Sequence, residues 1–177
     1  MLRETLVYDL KVSGNSIGKV NCQKIVNGNN ITYISDTDAV IKSIGTTKIK
    51  TRMKVIFENG KLYESTYKFF KNDKIREESN ITFNNGIYTI IHDGKTKVTN
   101  EPIYVSSIVL HFYKPKDNEK VFEEVDGYFK SIKFLNNKNC LLVDPYSNHG
   151  DQYYYENGKM EYCLINNVLV DFEMILQ

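Results

Sequence analysis

Apolar and polar side chains alternate along most of this chain, and residues 48–70 show the pattern most clearly. Residues 48–57 alternate apolar with charged side chains, residues 58–61 are typical of a turn, and residues 62–70 return with a similar alternation. A period of two places every second side chain on the same face of a strand. The stretch therefore predicts an antiparallel hairpin with one buried face and one face in water.

The register of this hairpin follows from the same residues. A two-residue loop would place Val55 opposite Glu64, which sets an apolar row against charges. We therefore predict a three-residue loop over 58–60, with Val55 opposite Tyr63. This register pairs Lys54 with Glu64 across the exposed face.

A second hairpin is predicted around Asn85 and Gly86. A two-residue loop at these positions aligns two apolar pairs without adjustment. The pairs are Phe83 with Tyr88 and Ile81 with Ile90.

The whole chain predicts about twelve short strands joined by tight turns, a spacing typical of all-β domains. Residues 102–112 have helical spacing and predict the one short helix. We expect a single all-β domain over residues 1–177, built from one meandering antiparallel sheet. Because long sheets twist and curl, this sheet is expected to form a barrel or half-open barrel. The alternative is a two-layer β-sandwich.

Composition excludes several classes of function. The chain has 23 Lys and Arg against 22 Asp and Glu, so its net charge creates no electric field that would attract nucleic acid. Nucleic acid is therefore not an expected partner. Cys22, Cys140 and Cys163 are too scattered for a metal site and are expected to be small buried residues, with one disulfide at most. No glycine-rich phosphate loop is present, and no cofactor or metal is expected.

Two compartments are compatible with the residues. No apolar run approaches the length of a membrane span, and residues 1–6 lack the layout of a signal peptide. The protein is therefore either cytoplasmic or exported with its signal already removed.

Several local phrases in this order resemble an uncharacterised family of exported bacterial proteins with a domain of unknown function. They are ETLVYD at 4–9, GNSIG at 14–18, FENGKL at 57–62 with Ser65, LHFYKP at 110–115 leading to VFEE at 121–124, and YYYENG at 153–158. The resemblance spans nearly the whole chain. It implies a periplasmic or envelope location and supplies no catalytic residues.

One stretch carries the residue types of acid–base chemistry. His149 lies between Asp144 and Asp151, which is the arrangement of a base oriented by an acid and also of a hydrogen-bonded turn. The turn is the favoured interpretation, and a hydrolase-type enzyme using His149 with Asp144 or Asp151 is the less favoured one. His92 and His111 are interpreted as structural residues with satisfied hydrogen bonds.

Aromatic residues are the one surplus, with 13 Tyr and 9 Phe. They either fill the core or line a cavity in which Tyr hydroxyls meet an amphipathic ligand. The residues predicted to contact such a ligand are Met53, Tyr63, Tyr67, Tyr88, Phe112 and Tyr153.

Two functions are weighed from these observations. The first is a non-enzymatic envelope domain that holds an apolar small molecule or lipid on the concave face of the sheet, with segment 102–112 as a plug or lid. The second is a structural or protein-interaction domain with a filled core, whose partner uses an exposed edge strand or the cationic row 48–54.

Overall fold

Long antiparallel strands joined by short turns make up nearly all of the structure, a computed structural model that describes residues 1–43, 45–147, 150–166 and 171–177. Fourteen strands form where about twelve were expected. They are β1 (Leu2–Val12), β2 (Asn15–Asn27), β3 (Asn30–Ser43), β4 (Gly45–Glu58), β5 (Lys61–Lys71), β6 (Lys74–Asn84), β7 (Ile87–His92), β8 (Lys95–Thr99), β9 (Lys120–Glu123), β10 (Tyr128–Phe134), β11 (Asn139–Val143), β12 (Gly150–Glu156), β13 (Lys159–Ile165) and β14 (Phe172–Leu176).

The β6–β7 hairpin has the predicted register. Phe83 lies opposite Tyr88 and Ile81 opposite Ile90. Its turn uses Asn85 at φ 49° and its glycine neighbour at φ 81°, the left-handed pair that a type I′ loop requires.

The predicted register of the β4–β5 hairpin is wrong. Its turn is the two-residue loop, since Glu58 pairs with Lys61, and the extra residue lies instead at a bulge beside Tyr63. The bulge shifts the pairing by one position, so Val55 faces Ser65 and not the predicted partner. Both apolar rows therefore remain on the buried face, whereas Tyr63 is 42% exposed.

The predicted pair of Lys54 with Glu64 is wrong for the same reason. Lys54 lies opposite Thr66, and Glu64 lies opposite Ile56. The bulge at Tyr63 displaces Glu64 by one position along the ladder.

All fourteen strands belong to one antiparallel sheet, in the order β8-β7-β6-β5-β4-β3-β2-β1-β14-β13-β12-β11-β10-β9. The chain thus starts in the middle of the sheet, builds outward to the edge at β8, crosses to the other edge at β9, and returns to pair β14 with β1. The predicted all-β single sheet is confirmed, and the two-layer alternative is wrong for the described residues.

The two edges of the sheet approach each other through side chains. Lys97 of β8 lies with its Nζ 6.0 Å from the ring centre of Tyr128 in β10. Gly127, in the β9–β10 turn, lies so close to β7 that a Cβ atom there would be 2.8 Å from Cγ2 of Ile90. The sheet is therefore curled like a barrel, although β8 and β9 form no backbone ladder over the residues described.

The crossing from β8 to β9 passes through the interior of the curled sheet. A 3₁₀ helix at Ser107–His111 replaces the predicted short helix, and its residues Ile108 and Leu110 are fully buried. Before it, the carbonyl of Ile103 accepts a hydrogen bond from the Leu62 amide at 2.9 Å. The segment contributes to two buried clusters of the core, with Leu110 in one and Ile108 in the other.

The described residues contain no helix with the length and apolar character of a membrane span. Cys22, Cys140 and Cys163 are all buried and carry free thiols. Their side chains belong to one of the two buried clusters.

Candidate ligand-binding cavity

A cavity of about 550 Å³ lies between the concave face of the sheet and the 3₁₀ helix. The other half of the interior is filled by side chains such as Leu62, Tyr88 and Ile103, which have no exposed surface. Ser107, Ile108 and other helix residues form one wall of the cavity. The central segment therefore divides the interior into a packed half and a half with open space.

One wall of the cavity is apolar and comes from strands that meet in the middle of the sheet. Inward-pointing side chains of β1, β2, β4, β13 and β14 form it, because alternate residues of each strand share one face. They include Leu10, Val20, Met53, Cys163 and Met174.

A second part of the lining carries charged side chains from β9, β10 and the turn between them. The ammonium of Lys130 lies 3.0 Å from Asp126 Oδ2, 3.6 Å from Glu123 Oε2 and 4.0 Å from Asp144 Oδ2. The side chains of Lys130 and Glu123 are each only 12% exposed. Asp151 also lines this wall, so the carboxyl groups outnumber the cation.

The pKa values of this cluster follow from burial and from the charges. Burial raises the pKa of Glu123 to about 8, although Lys130 acts in the opposite direction. Burial would lower the pKa of Lys130, but Glu123 and Asp126 outweigh it and the pKa is raised. Burial also raises the pKa of Asp151.

Hydrogen bonds at the start of the 3₁₀ helix bring the carboxyl groups of Glu123 and Glu124 to one serine hydroxyl. The hydroxyl of Ser107 lies 2.9 Å from Glu123 Oε1 and 2.5 Å from Glu124 Oε2. A hydroxyl has one hydrogen, so it donates to one carboxyl group and accepts from the other. Glu124 is fully buried and also accepts the amide of Ser107 at 3.1 Å, and burial raises the pKa of Glu124 as it raises that of Glu123, so the two carboxyl groups together keep a proton near pH 7.

His111 brings an imidazole to the same cavity. Its Nδ1 is buried and has no hydrogen-bond partner among the described residues, which is the opposite of the satisfied ring that we expected. Burial lowers its pKa to about 4, so the ring is neutral near pH 7. Its ring centre lies 5.4 Å from that of Tyr8. His92, in contrast, has Nε2 3.1 Å from Glu77, as expected of a structural residue.

The structure separates the predicted ligand-contacting residues into two groups. Met53, Tyr67 and Tyr153 line the cavity. Burial raises the pKa of Tyr67, and Glu77, Glu123 and Asp126 act in the same direction.

The remaining three predicted residues lie elsewhere. Tyr63 is exposed, as its bulge dictates. Tyr88 is fully buried in the packed half, where its hydroxyl accepts the Ile103 amide at 3.4 Å. Phe112 packs against Tyr33, with ring centres 5.8 Å apart, and is not among the lining residues.

The residues of the predicted acid–base stretch lie in different environments. Asp144 accepts the amides of Tyr146 at 2.7 Å and Ser147 at 3.0 Å, the geometry of a hydrogen-bonded turn. Asp151 faces the cavity. His149 lies outside the described residues.

One other group of side chains has metal-ligand chemistry. Ligand atoms of Glu77, His92 and Asp93 lie within 4.8 Å of one another. His92 is already hydrogen-bonded to Glu77, and Asp93 accepts the amide of Glu78 at 2.9 Å. These hydrogen bonds account for the arrangement without an ion.

Sequence reasoning missed the charged wall of the cavity. Lys130 interrupts the inward row formed by Tyr128, Ile132 and Phe134, and this break in an apolar row was the available signal. Glu123 gave no such signal, because it follows the buried Phe122 directly in a strand and alternation assigns it to the exposed face.

The fold and the cavity define an all-β domain built from one curled, unclosed antiparallel sheet around a central segment. The chain belongs to the family described as domain of unknown function DUF6134, whose model matches residues 8–177. This confirms the predicted relationship to an uncharacterised family. No curated protein matches the chain.

A solved structure has the same fold. It is the crystal structure of a beta-barrel-like protein of domain of unknown function DUF1849 from Brucella abortus, with a TM-score of 0.67. The two chains are 9% identical, and the match covers all of this chain and 96% of that chain. At this identity the likeness shows the fold alone.

Proposed function

We propose that this protein is a binding protein for an amphipathic small molecule, held between the concave face of the sheet and the 3₁₀ helix. The observation that carries the proposal is the cavity of about 550 Å³, lined by apolar side chains and by a group of charged ones. Ligand pockets have volumes of roughly 300–1,000 Å³, apolar linings and a few polar groups that fix orientation. The cavity has all three features.

The packed half of the same interior provides the comparison. Protein interiors are close-packed, with few voids larger than a water molecule. Tyr88, Leu62 and Phe57 meet that standard in one half. The other half departs from it beside buried ionisable groups, which is the combination found at binding sites.

The experiment compares two tryptophan variants from one hairpin. Met53→Trp places a large side chain in the cavity, and Tyr63→Trp places the same side chain on the exposed surface. Native mass spectrometry with decylamine, decanol and decanoate reports binding, and organic extraction identifies molecules that copurify. We expect wild type and Tyr63→Trp to bind at least one of the three amphiphiles and Met53→Trp to bind none.

Circular dichroism and thermal unfolding show whether both variants fold. If wild type binds none of the three amphiphiles and extraction yields nothing, the proposed function is wrong. If folded Met53→Trp binds as well as wild type, the cavity is not the site.

Protein binding is a second candidate, because the edge strand β8 is exposed and apolar side chains lie on it and on the neighbouring strand. Val98 is 68% exposed, and Ile91 and Ile87 of the neighbouring strand are also exposed. Exposed edges readily pair with other chains. The cationic row is the weaker alternative surface, since Lys50 contacts Asp73 at 2.8 Å and Arg52 contacts Asp38 at 2.9 Å. Light scattering of wild type and Val98→Lys tests for self-association at this edge.

The bacterial envelope is the proposed compartment, with the cytoplasm as the alternative. It is supported by the family resemblance of the sequence phrases. Fractionation of cells that express the full gene, with detection of this domain by antibody, tests it.

A further inference from the structure

The charged wall of the cavity has an excess of hydrogen-bond acceptors. Glu77, Glu123, Asp126 and Asp151 line it, and Lys130 is the one lysine or arginine among the described lining residues. Lys130 is already in contact with Asp126 at 3.0 Å and lies within 4.0 Å of two further carboxyl groups. The carboxyl groups of the protein therefore already pair with the ammonium of Lys130, and further carboxyl oxygens remain available as hydrogen-bond acceptors.

Other polar groups near the cavity do not correct this imbalance. Glu77 lies 3.1 Å from Nε2 of His92, and no lysine or arginine contacts it among the described residues. Asp151 accepts the amide of Asn166 at 3.0 Å through Oδ1. The buried Nδ1 of His111 has no partner in the described part of the chain. A neutral imidazole offers one acceptor nitrogen, so His111 is able to accept a hydrogen bond from a ligand.

A buried serine beside the cavity points to the same conclusion. Ser79 lies opposite the lining residue Tyr67 on the inward face, is 1% exposed, and its hydroxyl has no partner among the described residues. Buried polar atoms in native proteins are nearly always hydrogen-bonded to protein, water or ligand. His111 thus marks unmet hydrogen-bonding capacity in the cavity wall, and Ser79 marks the same next to the lining residue Tyr67.

We infer that the cavity selects a ligand whose apolar chain ends in a positively charged amine, with the chain against Leu10, Val20 and Met174 and the amine among Asp126, Asp151 and His111. The inference rests on the proposed function and names its ligand class. An ammonium group supplies the donors and the charge that the wall lacks. A carboxylate head group would meet like charges, because Lys130 is already paired.

The test compares three ligands with one chain length. Decylamine, decanol and decanoate carry a cationic, a neutral and an anionic head group, and calorimetric titration below their micelle concentrations gives each dissociation constant. We expect decylamine to bind at least about tenfold more tightly than decanol, which corresponds to one charged contact, and decanoate to bind most weakly.

A charge variant locates the selectivity. Asp126→Asn removes one carboxylate beside Lys130, and Asp73→Asn removes an exposed carboxylate outside the cavity as its matched control. Asp126→Asn should lower the preference for decylamine over decanoate by about tenfold or more, and circular dichroism and thermal unfolding check that the variant folds. Asp73→Asn should behave as wild type.

The outcomes separate the two proposals. If decanol or decanoate binds as tightly as decylamine and Met53→Trp abolishes that binding, the proposed function stands and the amine inference is overturned. The same holds if Asp126→Asn leaves the preference unchanged. If no ligand binds, both are overturned.

Discussion

The hydroxyl of Tyr155 donates a hydrogen bond to the carbonyl oxygen of Leu110 at 3.0 Å, with both residues buried. Tyr155 belongs to the wall of the curled sheet, and Leu110 belongs to the 3₁₀ helix inside it. This hydrogen bond connects the 3₁₀ helix of the central segment to strand β12 of the sheet.

Tyr155→Phe should therefore destabilise the protein. The substitution leaves the buried Leu110 carbonyl without this donor, at a cost of about 1–3 kcal/mol. Urea unfolding measures the loss. Tyr154→Phe is the matched control, because its hydroxyl contacts Glu156 at the surface and surface changes usually cost less than about 0.5 kcal/mol. Equal losses in the two variants would show that the buried hydrogen bond does not hold the segment.

Gly127 should tolerate alanine poorly because of both its backbone and its neighbour. Its φ is 72°, and an added Cβ would lie 2.8 Å from Cγ2 of Ile90. Gly94, at φ 76° with nothing within 4 Å of such a Cβ, has the backbone strain alone. Strain at positive φ costs about 1–2 kcal/mol, so both Gly127→Ala and Gly94→Ala should lose this amount.

The difference between the two glycine variants measures the contact across the unclosed edges. Overpacking adds about 1–3 kcal/mol to the loss expected for Gly127→Ala. Combining Gly127→Ala with Ile90→Ala should give a loss smaller than the sum of the single losses. Additive losses would indicate that the two edges do not touch there.

Glu123 should make the protein less stable as the pH rises from 6.5 to 8. Its pKa is about 8 in the folded protein, against about 4.3 for an unperturbed glutamate. The folded state therefore holds a proton that the unfolded state has released, and the stabilisation is lost as the pH rises toward 8. The slope is at most about 1.4 kcal/mol per pH unit for one proton. Denaturant titrations should show a smaller slope for Glu123→Gln than for wild type, and the raised pKa of the buried Glu124 leaves a slope of the same sign in both.

His111 should act in the opposite direction below pH 6.5. Its pKa of about 4 lies below the ordinary value of about 6.5. Between these two pH values the unfolded state binds a proton that the folded state does not bind. Stability from this group is present above pH 6.5 and is lost as the pH falls toward 4. His111→Phe removes the effect, so its stability should fall less than that of wild type between pH 6.5 and 4.5. Parallel curves would contradict the depressed pKa.

The three cysteines should be unreactive in the native protein. They are buried with free thiols, and burial raises the pKa of Cys140 to about 11 and that of Cys22 to about 12. The thiolate is the reactive form, so an aromatic disulfide reagent should label none at pH 8 and all three after unfolding in denaturant. Fewer than three labels after unfolding, without reductant, would indicate a disulfide.

Local pattern was enough to predict the strands, most turns and the single sheet. Alternation and Asn-Gly turns act over a few residues, so the β6–β7 register was accessible from Phe83 and Tyr88 alone. The β4–β5 register was not, because a bulge beside Tyr63 satisfies both the turn and the apolar rows, and alternation does not locate such a bulge.

The site was predictable only in its apolar part. Met53, Tyr67 and Tyr153 follow from inward alternation on three strands. Glu123 and Lys130 are charged residues on buried faces, which pattern reasoning assigns to the surface. Their partners come from other elements, so their proximity depends on how the sheet curls. The surface residue Tyr63 was placed inside because its register was wrong.

The pairing of β1 with β14 has a consequence for the order of assembly. Strands β1–β8 and β9–β14 each form ladders between neighbours in sequence, which close fast because their loops are short. Among the described residues, one ladder joins the two halves of the sheet, from Tyr8 with Leu176 to Lys11 with Glu173. Nearly the whole chain lies between these partners, so this closure carries the largest loop entropy. The edge of β1 that pairs with β14 therefore stays unpaired during folding until this ladder forms. The rate of β1–β14 pairing sets how long the incomplete sheet can pair with another chain.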